Sequence, residues 1–109
     1  MPLSEPTPAN RSRLASLAEG SGTAALAERL KALADPTRLR MLALLAEHAS
    51  PLCVCEITPL FDLHQPTISH HLRLLREAGL ADCERRGVWA YYWATEAGQR
   101  ALALVTALA

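Results

Sequence analysis

Residues 65–78 constrain the fold of this chain more than any other segment. The apolar positions of the segment recur at helical spacing along one face: Ile68, Leu72 and Leu75. Pro66 stands where the first turn of a helix tolerates proline, and Gly79 supplies a left-handed stop. The segment therefore predicts a helix with one buried face and one polar face.

Pro59 limits the helix that comes before. A proline inside a helix clashes with the carbonyl group four residues earlier, which here belongs to Cys55. The preceding helix therefore cannot begin much before Cys55, and we expect it to be short and to end near Asp62. Two short helices with a tight connection predict a helix-turn-helix.

The apolar period changes after Leu80 from that of a helix to that of a strand. Residues 81–85 and 89–93 flank Arg86-Gly87-Val88, and this pattern is typical of a β-hairpin. A hairpin directly after a helix-turn-helix is a wing. The predicted fold is therefore mainly α with a small β-hairpin, a winged helix-turn-helix.

Three further helices complete the prediction. Leucines at helical spacing follow Thr23, a suitable N-cap, and Asp35-Pro36 ends that helix and begins a second one that runs to about Glu47. Thr95 caps the last helix. The apolar stripe of that helix consists of Leu102, Val105 and Leu108. An unpartnered stripe predicts a homodimer.

The chain has 109 residues, half of them hydrophobic, which is enough for one small domain. The hydrophobic core of a domain of this size is only marginally stable alone, and this favours dimerisation. Residues 1–22 contain four Ser, three Pro and two Gly, and we expect a flexible N-terminal arm there. We expect the winged helix-turn-helix domain, for DNA binding and dimerisation, to cover residues 23–109.

Charge and motifs exclude several classes of function. The 11 basic and 11 acidic residues cancel, so any DNA-binding face is local. Three cysteines in a chain without an apolar signal segment favour reduced thiols in the cytoplasm, and no apolar run approaches the roughly 20 residues that span a membrane. No catalytic motif occurs, so we expect neither an enzyme nor an organic cofactor.

The polar face of the helix over residues 65–78 suits base edges and phosphates. The candidate DNA-binding residues on this helix are Gln65, Thr67, Ser69, His70, His71 and Arg73. Arg85 and Arg86 at the hairpin tip fit phosphate or minor-groove contact. The alternatives are a solvated helix face and a solvated turn.

Cys53 and Cys55 are the candidate metal ligands. On an extended segment, which Pro59 favours, both thiols point to one side, and thiolates close to a helix N-terminus have a lowered pKa. Soft thiolates select soft ions. The alternative is a pair of buried small hydrophobic residues, and the same interpretation suits Cys83, which should lie two strand spacings away, at about 9 to 10 Å.

These segments resemble the ArsR/SmtB-type metalloregulatory repressors over residues 30–93. The matching segments are LADPTRLR (33–40), LCVCE (52–56), QPTISHHL (65–72), LREAGL (75–80) and YY (91–92). The resemblance implies a homodimeric winged helix, with its first and last helices at the interface. It further implies a protein that represses an operator until a toxic metal or metalloid binds.

Within that family, Cys-Val-Cys followed by an acidic residue resembles the third-helix site of arsenite, antimonite, cadmium and lead sensors. The chain departs from the best-known arsenite layout, because Thr58 stands where a third Cys is found. Residues 1–22 lack the Cys of cadmium-type relatives. Residues 95–109 contain no His and only Glu96, so the zinc-sensor site is absent.

The sequence therefore predicts a homodimeric repressor that binds inverted-repeat operator DNA and is released when As(III) or Sb(III) binds Cys53 and Cys55. Cys83 after rearrangement, a small cellular thiol or solvent is expected to fill the third position. Repressors of the same fold that respond to Cd(II), Pb(II) or thiol oxidation are the nearest alternatives. From a different class, a winged-helix interaction module that does not bind DNA remains open.

Overall fold

A computed structural model describes Arg13, residues 15–17 and residues 22–109. Most of the predicted arm over residues 1–22 lies outside the described residues, so the division into arm and domain stays a prediction. Within the described ranges, no helix is both long and apolar enough to cross a membrane.

Between Gly22 and Ala109 the chain forms five α-helices, one 3-10 turn and a three-stranded sheet. The helices are α1 (Thr23–Leu33), α2 (Pro36–Glu47), α3 (Val54–Ile57), α4 (Gln65–Glu77) and α5 (Glu96–Thr106), and the 3-10 turn is Thr58–Leu60. The strands are β1 (Leu52–Cys53), β2 (Ala81–Arg86) and β3 (Trp89–Ala94). The predicted fold class is thereby confirmed.

The ends of the helices follow their capping residues. Asp35 accepts a hydrogen bond from the backbone N–H of Arg38 at 3.0 Å, and Pro36 opens α2 as predicted. The prediction that Thr23 caps α1 is wrong. Gly22 takes that position with a φ of +82°, and the Thr23 hydroxyl instead donates to the Leu17 carbonyl at 2.6 Å.

The third helix begins at Val54, which agrees with the expectation that it cannot begin much before Cys55, but it ends at Ile57 rather than near Asp62. Pro59 lies in the 3-10 turn that follows α3, so its missing N–H and its ring do not interrupt the helix itself. The helix-turn-helix consists of α3 and α4, with the 3-10 turn and residues 61–64 between them.

The core lies between the helices and one face of the sheet. Its fully buried side chains include Met41, Leu42, Leu45, Ile57, Ile68, Leu72, Leu75 and Leu80. The predicted buried face of α4 is confirmed, since all three of its residues are 0% exposed. Val54 and Ile57 of α3 pack in the same cluster, so α3 and α4 share one core.

The sheet is antiparallel, in the order β1-β3-β2. Leu52 lies opposite Tyr92 and Cys53 opposite Tyr91. The wing turn is shorter than predicted, because β2 continues through Arg86 and only Gly87 and Val88 connect the strands. Gly87 has a φ of +65°, which a tight two-residue hairpin turn requires.

Candidate metal site and nucleic-acid interface

The two cysteines of the Cys-Val-Cys motif meet at the junction of β1 and α3. Their Cα atoms are 5.1 Å apart and their sulfur atoms are joined as a disulfide. Cys53 is 1% exposed, whereas Cys55 is exposed. The predicted extended segment is correct for Cys53 but not for Cys55, which lies in the first turn of α3. The two sulfurs nevertheless adjoin, because Cys53 is the N-cap residue of that turn.

Glu56 holds this junction in shape, a role that the motif analysis missed. Its Oε1 accepts a hydrogen bond from the backbone N–H of Cys53 at 2.9 Å. In return, the Cys53 sulfur accepts from the backbone N–H of Cys55 at 3.2 Å. Cys53 and Glu56 thus form a capping box with sulfur in place of the usual hydroxyl, and the three-residue spacing was the available signal.

Cys83 stands apart from this pair. Cys83 lies opposite Tyr92, and Tyr92 lies opposite Leu52. The prediction that two strand spacings separate Cys83 from the segment of Cys53 is therefore confirmed. Because successive residues of a strand point to opposite faces, Cys83 and Cys53 project from opposite faces of the sheet. In the described residues no three His, Cys, Asp or Glu side chains gather as a metal site. The structure therefore does not bring Cys83 to the cysteine pair.

The surroundings of Cys83 are polar and aromatic. Nη1 of Arg76 donates to the Cys83 sulfur at 3.7 Å. Burial, and then the neighbouring Cys83, raise the pKa of Tyr92. Since Cys83 also packs against the core, its interpretation as a packed small residue fits these contacts.

Most of the candidate DNA-binding side chains on the polar face of α4 are exposed. Its exposed candidate residues are Gln65, Thr67, His70 and Arg73, and Ser69 beside them is half-buried. Nη2 of Arg73 lies 3.0 Å from Nδ1 of His70, and Nε of Arg73 is 3.8 Å from Glu77. The face thus presents donors and acceptors with only exposed, exchangeable partners.

His71 does not share that face. It is half-buried, and its Nδ1 accepts a hydrogen bond from Nη1 of Arg38 at 3.2 Å. Arg38 also donates from Nε to the carbonyl of Ala32 at the end of α1, at 2.6 Å. The structure therefore gives His71 a partner on α2, although its ring centroid stays 5.9 Å from that of His70. Sequence analysis missed Arg38, because its contact to His71 spans 33 positions.

The two wing arginines differ in their partners. Nη1 of Arg85 donates to the carbonyl of Val88 across the turn at 3.3 Å. Arg86 pairs through Nε with Glu84 Oε1 at 2.7 Å, and its guanidinium lies 4.4 Å from the centre of the Tyr91 ring. Both side chains stand at the tip of the hairpin, where a wing reaches phosphates.

Comparison with known proteins agrees with this geometry. Residues 35–82 match the family model described as bacterial regulatory protein, arsR family. An uncharacterised HTH-type transcriptional regulator of Methanocaldococcus jannaschii is 49% identical over 67 residues, which cover 62% of this chain and 74% of that protein. The arsenical resistance operon repressor of Escherichia coli is 48% identical over 62 residues. That match covers 57% of this chain and about half, 52%, of the E. coli repressor.

The fold has a dimeric counterpart among solved structures. A homodimeric winged helix-turn-helix DNA-binding domain of Mycobacterium bovis, described as a possible ArsR-family transcriptional regulator, superposes with a TM-score of 0.71. It is 29% identical, and the match covers 97% of this chain and 89% of that domain.

Proposed function

This chain belongs to the ArsR family of bacterial regulatory proteins, which are DNA-binding regulators and not enzymes, and we propose that it is an arsenic- or antimony-responsive repressor. In this proposal a homodimer binds an inverted-repeat operator, and As(III) or Sb(III) bound by Cys53 and Cys55 releases it. The single observation that carries the proposal is the meeting of the two sulfur atoms at the start of the helix-turn-helix.

The donor set suits a soft, thiol-seeking ion. Once reduced, Cys53 and Cys55 offer two thiolates on one turn, and the backbone N–H of Cys55 already points at one of the sulfurs. Trivalent arsenic or antimony would form strong bonds to these two thiolates. The third position then falls to a small cellular thiol or solvent, because Cys83 projects from the other face of the sheet.

The position of the pair offers a mechanical link to DNA. Cys53 ends β1, and the next residue, Val54, packs in the same core as Ile68 and Leu72 of α4. A change in the turn at Cys53 and Cys55 is therefore passed to α4, which we now call the recognition helix. A coupling free energy of about 1 to 3 kcal/mol, or roughly 5- to 150-fold in affinity, is typical of such linkage.

DNA binding is expected to follow from a two-fold dimer. Exposed apolar side chains of α1, of α5 and of the turn that follows α5 supply its interface: Leu26, Leu30, Leu104 and Leu108. Two recognition helices related by a two-fold axis require two half-sites about one helical turn apart, inverted relative to each other. This requirement supports an inverted-repeat operator.

Fluorescence anisotropy of a duplex selected from random DNA by this protein tests the proposal. Under reducing conditions, sodium arsenite should release the wild-type protein but not the Cys53→Ser or Cys55→Ser variants, both of which should still bind the duplex. Cys83→Ser is the matched control and should respond like wild type. Release of Cys53→Ser at wild-type arsenite concentrations would refute the assignment, as would loss of the response in Cys83→Ser alone.

The disulfide between Cys53 and Cys55 favours one second candidate, a repressor released by thiol oxidation. Diamide without metal would then release the wild-type protein, and arsenite in excess reductant would not. Titration with Cd(II) and Pb(II) in the same assay ranks the metals. Absence of both duplex selection and metal binding would favour an interaction module.

A further inference from the structure

We propose that Tyr91 is a positioning residue that relays inducer binding from Cys53 to the wing arginine Arg86. This inference rests on the proposed function and adds a second output, the wing, to the recognition helix. It is carried by a row of side chains that crosses the outer face of the sheet, the face opposite the core.

The row begins at the sensing pair. Cys53 of β1 lies directly opposite Tyr91 of β3. Cβ atoms of such cross-strand partners are about 4.5 to 5.5 Å apart. Cys53 is only 1% exposed, so neighbouring groups cover its sulfur. In the proposed relay an atom bonded to this sulfur at about 2.3 Å presses on those neighbours, and Tyr91 is the cross-strand partner of Cys53 on the same face.

The row ends at the DNA-facing tip. Tyr91 also lies opposite Glu84 of β2, whose carboxylate pairs with Nε of Arg86 at 2.7 Å. The Arg86 guanidinium rests on the Tyr91 ring, 4.4 Å from its centre. The ring and the carboxylate together fix where this cation stands, and a shift of the ring moves it.

Arg85 provides an internal contrast. It is the neighbour of Arg86 on β2, so its side chain leaves the opposite face of the sheet. Nη1 of Arg85 donates to the carbonyl of Val88, whereas it is the guanidinium of Arg86 that lies over the Tyr91 ring. Arg85 is therefore expected to contribute to DNA affinity without sensing the inducer.

The test measures the ratio of operator dissociation constants with and without sodium arsenite. We expect Tyr91→Leu to lower this ratio at least threefold, while Tyr91→Phe, which retains the ring, keeps the wild-type ratio. Arsenite binding itself, followed by the ultraviolet absorbance of arsenic–sulfur bonds, should stay within twofold in both variants.

A second measurement distinguishes a relay from a merely structural role. If arsenite withdraws Arg86 from phosphate on both wings, the slope of log affinity against log salt should fall by about two units in the wild-type dimer. The slope should not change with arsenite in Tyr91→Leu. Arg86→Gln should lower the ratio as Tyr91→Leu does, the double variant should lower it no further, and Arg85→Gln should leave it unchanged.

The outcomes separate the two proposals. If wild-type protein is not released by arsenite, the proposed function fails and the relay falls with it. If wild type is released and Tyr91→Leu keeps the same ratio, the relay alone is overturned. Should Tyr91→Leu not fold, the Arg86→Gln variant decides instead, because the Arg86 side chain is half-exposed and its replacement should leave the fold intact. If Arg86→Gln kept the same ratio of dissociation constants as wild type, the relay would be overturned.

Discussion

Nη1 of Arg38 donates to Nδ1 of His71 at 3.2 Å, and this contact joins the corner between α1 and α2 to the recognition helix. A guanidinium group can only donate hydrogen bonds, so the accepting nitrogen of His71 carries no proton. Burial is the main cause that lowers the pKa of His71 below its usual 6.5, and Arg38 and His70 add to it while Asp35 opposes it. The contact therefore depends on neutral His71.

The stability of the fold should consequently rise with pH through the range in which His71 titrates. The unfolded chain binds this proton with a pKa near 6.5, whereas the folded chain binds it only at lower pH. As the pH falls below about 6.5, protonation of the unfolded chain therefore lowers the free energy of unfolding. Thermal unfolding of wild type should show a lower midpoint at pH 5.5 than at pH 7.5. His71→Gln should reduce this difference, and an identical pH dependence in both proteins would contradict the prediction.

The proposed homodimer should depend on the exposed apolar side chains of α1 and α5. Leu104 is 73% exposed, and a glutamate at this position would bury a charge in the interface. We expect Leu104→Glu to sediment as a monomer at micromolar concentration and to lose operator affinity. Leu60→Glu is the matched control, because Leu60 is 64% exposed but lies outside both helices. Equal sedimentation of the two variants would refute this interface.

The local part of the fold could be predicted because it depends on neighbouring residues. The spacing of Ile68, Leu72 and Leu75 determines which face of α4 is buried, and Asp35-Pro36 determines where α2 begins. The start of α3 could not be predicted exactly, because Pro59 excludes some starts but selects none. Cys55 was consequently placed on an extended segment rather than in a helical turn.

The site was less predictable because its contacts join distant segments. The motif indicated the two cysteines, and the register between β1 and β3 agreed with the expected strand pairing. Nothing local indicated that Arg38 reaches His71 or that Arg86 rests on Tyr91. Such contacts require the tertiary arrangement, in which packing determines which polar groups meet.

The two groups of candidate DNA contacts should fail differently when truncated. We expect Arg85→Ala to weaken binding to operator and random DNA alike and to lower the salt slope by about two units, one for each wing of the dimer. Gln65→Ala or His70→Ala should cost about 1 to 3 kcal/mol, mainly on the operator, because these side chains are expected to contact base edges. Anisotropy titrations on both duplexes measure this, and equal losses for every variant would exclude direct readout by the recognition helix.

Gly98→Ala should destabilise the protein even though alanine is the better helix former. Helix propensity alone would stabilise the variant by about 1 kcal/mol. However, a Cβ atom at Gly98 would collide with the Leu80 carbonyl, part of the backbone, and overpacking of this kind costs about 1 to 3 kcal/mol or more. Urea unfolding gives the sign, with Ala103→Gly on the exposed side of α5 as a propensity control. A stabilised Gly98→Ala would show that the contact can relax.

Glu56 should set how well the cysteine pair is arranged for the inducer. Its carboxylate accepts from the backbone N–H of Cys53 at 2.9 Å, so it orders the turn from which both thiols project. Loss of such a cap costs about 1 kcal/mol, so Glu56→Ala should weaken arsenite binding by roughly fivefold. Glu56→Gln retains an acceptor oxygen and should recover most of that loss.

The arsenic–sulfur absorbance of the reduced protein, titrated with sodium arsenite, measures this affinity directly. Asp62→Ala is the matched control, since it removes one exposed acidic group near the helix-turn-helix without touching the turn at Cys53. If Glu56→Ala and Asp62→Ala weakened binding equally, the effect would come from charge alone. A loss confined to Glu56→Ala and recovered in Glu56→Gln would assign it to the hydrogen bond that shapes the pair.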